Sequence, residues 1–142
     1  MIYVYDIITK EHLGWTNDAS RLGVDATAVV PPTPTDTAAG FWNGTSWDVR
    51  IRSSASTSYA NAVEALFQKT ANSWGYDSLE KAATYADEPA VPQFQNEGQA
   101  LRAWRSLSWA KCYQILSDVS QGLRPVPTID QLTSELPPIV RP

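Results

Sequence analysis

His12 and Cys112 are the only imidazole and the only thiol in this 142-residue sequence. Nucleophile–base chemistry must therefore be built around one of them, or around carboxylates. His12 falls in a predicted turn beside Lys10 and Glu11. An imidazole needs an orienting partner to act as a base, and this setting reads as a solvated turn residue. Cys112 lies within a predicted helix between Lys111 and Tyr113 and reads as a small buried hydrophobe. A zinc centre needs three or four His, Cys or carboxylate ligands, and no such grouping is legible. Asp87-Glu88 precede Pro89 and read as a solvated helix end. Glycosidase chemistry needs two carboxylates about 5–10 Å apart across a cleft, and no spacing here points to such a pair. The sparse glycines form no phosphate-cradling loop. The expectation is a non-enzymatic chain with no catalytic residue, no metal and no cofactor.

The feature above background is aromatic: six Trp, six Tyr and three Phe. Trp15, Trp42 and Trp47 belong to a predicted β-rich stretch of about 50 residues, too small an interior to bury three indoles fully. Three readings stand side by side: the indoles pack the sheet against helices, or line a partner's groove, or stack on sugar rings. Trp74, Trp104 and Trp109 follow helical periodicity and read as core. Asn43-Gly44-Thr45 matches a glycosylation sequon, but a hairpin turn explains it better.

The elements that position these rings follow from patterning. Alternation in Ile2–Tyr5, a turn at Thr9–His12 and then Leu13-Gly14-Trp15 predict a hairpin. Residues 16–26 are polar and predicted loop. Thr27–Val30 is a predicted short strand, stopped by Pro31-Pro32-Thr33-Pro34. Gly40–Ile51 carries Asn-Gly between aromatic and β-branched runs, the strongest short hairpin signal, and brings Trp42 near Trp47. A Ser/Ala/Thr stretch at 53–58 marks a boundary, with Ser56 or Ser58 as a candidate helix cap. Tyr59, Val63, Leu66, Phe67 and Trp74 space a first helix that stops at Gly75. A short helix runs from Asp77 or Ser78 to about Ala86, and Pro89 and Pro92 break the chain. The longest helix spans about Phe94–Gln121, with Leu101, Trp104, Trp109, Cys112, Tyr113, Leu116 and Val119 on its inner side. Gly122 ends it, and Thr128 caps a last short helix. Strands followed by helices, without βαβ alternation, predict an α+β fold. Residues 1–52 form a small antiparallel β module of hairpins, and 53–142 a module of three to four helices.

Hydrophobic residues make up 43% of the chain, in the range of folded proteins. Net charge is −4, with six acids and four bases in residues 1–52 and nine and seven in 53–142. Without a basic face, nucleic acid is not an expected partner. No apolar run approaches the roughly 18 residues of a membrane span. Met1–Asp6 has no basic n-region, so no secretory leader is expected, and a lone cysteine fits a reducing compartment.

The opening Tyr3-Val4-Tyr5-Asp6 with Lys10-Glu11-His12-Leu13-Gly14 resembles that of bacteriophage tail fibre assembly proteins. Val30-Pro31-Pro32-Thr33-Pro34 and Gly40-Phe41-Trp42-Asn43-Gly44-Thr45-Ser46-Trp47-Asp48-Val49 are similar to that family's proline-rich stretch and W-N-G-x-x-W hairpin. The resemblance covers residues 1–51. Gly75–Ser78, Phe94–Ala100, Ala103–Arg105 and Arg124–Thr128 resemble accessory proteins of phage tail-fibre regions, although the compact all-helical ending departs from many members. The resemblance implies a chaperone or fibre-associated structural protein that binds the trimeric tail fibre polypeptide in the host cytoplasm. Retention in the virion tail is the other location it implies. The expected contact residues are Trp42 and Trp47, with Trp15 and Phe41 behind them. The alternative is a receptor-binding tip that recognises bacterial surface glycan. An open β edge also leaves homo-oligomers open.

Overall fold

The computed structural model describes residues 1–7, 9–18, 21 and 26–142. It is α+β: antiparallel sheets of three and two strands precede four α-helices. Its contacts divide it into a first unit of residues 1–58 and 119–128 and a second of 59–118 and 129–142. The sequence-based boundary at residue 52 had no place for a return of the chain to the first unit. That return is fastened by the buried Thr37 hydroxyl, which donates to the Pro127 carbonyl at 2.8 Å.

In the first unit, β1 (Ile2–Tyr5) pairs with β2 (His12–Thr16), and its other edge takes β3 (Ala26–Thr27). Tyr3 faces Trp15 and Val4 faces Gly14, but Tyr5 faces His12, so the register shifts and Leu13 is the extra residue of a bulge. Gly14 sits beside it at φ +148°, a conformation that L side chains rarely adopt. The bulge rephases β2. His12 and Trp15, three apart, both oppose tyrosines that share one face of β1.

The predicted strand Thr27–Val30 is corrected to Ala26–Thr27. Thr27 Oγ1 accepts from the Val29 amide at 3.2 Å, a local side-chain turn that competes with the ladder, and Val29 and Val30 lie exposed beyond it. Most of the predicted loop 16–26 lies outside the described residues.

The second sheet pairs β4 (Ala38–Trp42) with β5 (Trp47–Ile51), with Trp42 opposite Trp47. The Asn43 side-chain oxygen accepts from the amides of Thr45 and Ser46 at 2.9 and 2.8 Å, which shapes a four-residue connection. A Cβ on Gly40 would meet Pro32 Cδ at 2.8 Å, so the proline-rich stretch crosses β4 where only glycine fits. The Trp42 amide donates to the Lys10 carbonyl at 2.8 Å and Phe41 bridges Glu11, joining the two sheets.

The second unit is helical. α1 (Ala55–Ser73) buries Tyr59, Val63, Phe67 and Ala71, a stripe at i+4 spacing. Because α1 begins at Ala55, Ser56 and Ser58 lie inside its first turn and not at a cap position. Gly75 (φ +96°) ends this segment, with the Tyr76 amide donating to the Ala71 carbonyl. Ser78 caps α2 (Leu79–Thr84) by accepting from the Lys81 amide, and a 3-10 turn covers Tyr85–Asp87.

α3 (Pro92–Ser120) starts at Pro92, which opens a helix where the sequence reading had it break one. It buries Glu97, Gly98, Leu101, Trp104, Ser108, Cys112 and Ile115. Tyr113, expected on the inner side, is 65% exposed, and the fully buried Ile115 holds the inward position two residues on. α4 (Ile129–Ser134) contributes the buried Leu132. Trp104 is edge-on to Phe67 and donates through Nε1 to the Pro137 carbonyl at 2.7 Å.

Candidate functional site: an aromatic surface on the first unit

The bulge and the β4–β5 register gather Tyr3, Tyr5, His12, Trp42 and Trp47 into one cluster. Trp42 and Trp47 have centroids 5.3 Å apart. Tyr5 stacks on Trp42 at 6.1 Å and meets Trp47 edge-on at 6.0 Å. His12 is edge-on to Trp47 at 5.6 Å and tilted against Tyr3 at 5.9 Å. Lys10 Nζ lies 5.3 Å from the Tyr5 ring centre, a cation over a π face. The Trp47 indole donates to the Val29 carbonyl at 2.8 Å.

The expected site residues separate into three environments. Trp42 and Trp47 do lie together, but both are half-buried and spend much of their surface on each other and on Tyr5. Phe41 is corrected: it is buried, because strand alternation turns it to the opposite face from Trp42, and its ring is no contact surface. Trp15 is 60% exposed, and its neighbour Leu13 is 66% exposed. Of the four expected contact residues, the one left exposed is thus Trp15 on β2, which makes none of the ring contacts of the cluster.

His12 is also corrected. It is the first residue of β2 and not a solvated turn residue, and its ring is half-buried between Tyr3 and Trp47. Its Nε2 donates to the Gly14 carbonyl at 2.7 Å, which fixes the proton on that nitrogen. Sequence reasoning missed Tyr3, Tyr5, Lys10 and His12 as members of the cluster. Gly14 was the available signal, since a glycine inside a strand pattern marks a bulge.

Elsewhere the titratable groups are held by structure. Cys112 is buried, and desolvation pushes its thiol up, away from the thiolate that nucleophilic chemistry requires. Glu97 is 1% exposed in the second unit. Burial alone would raise its carboxyl. Hydrogen bonds from Arg141 (2.8 Å), Tyr76 (2.6 Å) and Gln93 (2.9 Å) outweigh that and hold it below the usual carboxylate range. The same arrangement raises Tyr76 to about 12, through burial first and then the adjacent Glu97 carboxylate. This is a satisfied buried network that ties the tail at Arg141 to α3. Among the described residues, no group of three or more His, Cys, Asp or Glu is placed to hold a metal ion. No helix among them is long and apolar enough to cross a membrane.

No protein-family model, curated protein or solved structure matches this chain.

Proposed function

We propose that this chain is a bacteriophage tail fibre assembly protein or fibre-associated structural protein. In this reading it binds the fibre polypeptide through its first unit and catalyses no reaction. The observation that carries the proposal is the exposure of Trp15 and Leu13 on β2, the strand whose first residue, His12, is held in the ring cluster. Residues 1–51, which supply this surface, are those that resemble the tail fibre assembly family. Fibre chains expose unpaired strand edges and apolar patches before their trimer closes. A rigid indole offers such a patch large contact area at low entropic cost. The partner is then the fibre chain, met in the host cytoplasm.

The test is co-expression with the fibre polypeptide of the same genome. Trp15→Ser combined with Leu13→Ser is expected to cut co-purified fibre about tenfold or more, the loss typical of a central interface anchor. The circular dichroism and thermal midpoint should stay unchanged, because both side chains already face water. Undiminished co-purification would remove this surface from the account. Binding of the isolated chain to a glycan array, with no retention of fibre, would favour the receptor-binding reading instead.

A further inference from the structure

β5 is bonded to β4 on one side only. The alternation of its ladder says which groups the other side presents. The Arg52 amide donates to the Thr37 carbonyl at 2.8 Å, and at the other end the Asn43 amide donates to the Ser46 carbonyl at 3.0 Å. With these as bonded pairs, Arg50 and Asp48 also bond inward, to Ala39 and Phe41. The N–H and C=O groups of Val49 and Ile51 therefore point away from β4. Among the described residues no hydrogen bond to these groups is formed.

This edge borders a cleft of about 630 Å³ within the first unit, lined by Val49 and Ile51 on one side and by Val119 and Val126 on the other. Val49 is 58% exposed. The charged side chains of the lining are Arg50 and Arg124, with no acid among them, in a chain of net charge −4. Arg50 pairs with Asp48 at 2.8 Å, but both are largely exposed, and such a pair contributes little and exchanges readily.

The geometry points to an added strand: the β5 edge and its cleft take an extended, acid-bearing segment of a partner polypeptide. Outward backbone groups two residues apart, about 6.8 Å along a strand, match the repeat of an extended peptide. The valines and isoleucine receive its alternate aliphatic side chains, and the exposed Arg50 receives a carboxylate. The inference rests on the reading of this chain as a polypeptide-binding protein, and adds a second contact remote in sequence from Trp15.

The probe is a synthetic eight-residue peptide alternating valine with threonine and aspartate, titrated into the full chain by calorimetry. Two counterparts accompany it: one with lysine for aspartate, and one N-methylated at alternate backbone amides. The aspartate peptide is expected to saturate. The lysine peptide should bind about tenfold more weakly, and the N-methylated peptide should not bind, since it loses the edge hydrogen bonds. Val49→Pro should weaken the aspartate peptide about tenfold while keeping the β4–β5 ladder, because the Val49 amide is not a ladder donor. If Val49→Pro disturbs folding, the N-methylated peptide on the unaltered chain decides.

Equal binding of all three peptides, or no saturable binding at millimolar peptide, overturns the inference. So does self-association of the chain that Val49→Pro abolishes, which would give the edge to a second copy. Fibre capture without peptide binding removes this edge alone. Peptide binding without fibre capture removes the fibre reading and leaves the edge.

Discussion

Trp47→Ala is expected to destabilise the first unit by about 2–4 kcal/mol, toward the range for deleting a large aromatic from a packed site. Three ring contacts go at once, to Trp42, Tyr5 and His12, together with the hydrogen bond to the Val29 carbonyl. Each aromatic pair is worth about 0.5–1.5 kcal/mol and a hydrogen bond about 1 kcal/mol. The half-exposure of the indole pulls the total below the sum. Trp47→Phe keeps a ring but cannot donate to Val29, and should cost about 1–2 kcal/mol. Urea unfolding followed by near-ultraviolet circular dichroism measures both. Equal losses for Ala and Phe would mean that the ring contacts contribute nothing, and that the cluster does not hold β2 in place.

Gly98→Ala tests the second unit, and there the sign is the informative part. In an isolated helix this change stabilises by about 1 kcal/mol, because alanine is the better helix former. On α3 it should destabilise, by about 1–3 kcal/mol or more. An added Cβ would sit 2.7 Å from the Ala82 carbonyl oxygen and 2.7 Å from the Ala86 amide nitrogen. Both are backbone atoms of α2 and the turn after it, so relief requires moving a whole segment and not one rotamer. A raised thermal midpoint in this variant would show that α3 does not approach α2 closely at Gly98.

How far the fold was legible follows from how local each determinant is. The β4–β5 hairpin was legible because its signals lie within one stretch, Asn43-Gly44 between two tryptophans. The buried stripe of α1 was legible for the same reason, since Tyr59, Val63 and Phe67 repeat at one helical interval. The bulge at Leu13 was not, because register depends on the partner strand as well as on β2. Its consequence, His12 turned into the ring cluster, was hidden with it. The end of β3 was set by one hydroxyl, Thr27 Oγ1, against the β propensity of Val29 and Val30. The assignment of residues 119–128 to the first unit rests on contacts between residues some 90 positions apart, such as Thr37 to Pro127, and no local pattern announces these. Phe41 was readable and misread. It and Trp42 are adjacent in a strand, so only one of them can share the face of Trp47.

The site divides in the same way. Its membership in tryptophans was visible in composition, whereas the exposure of each was decided by tertiary packing. Trp42 and Trp47, the more conspicuous pair, hold the sheets together. Trp15, placed behind them by the sequence reading, is the ring left free.

That distinction is measured most directly by hydroxyl-radical footprinting of the chain alone and in complex with the fibre polypeptide, read by mass spectrometry at each tryptophan. Trp15 is expected to oxidise rapidly in the free chain and to be strongly protected in the complex, with little change at Trp42. Oxidation of Trp15 at the same rate in both samples would contradict this.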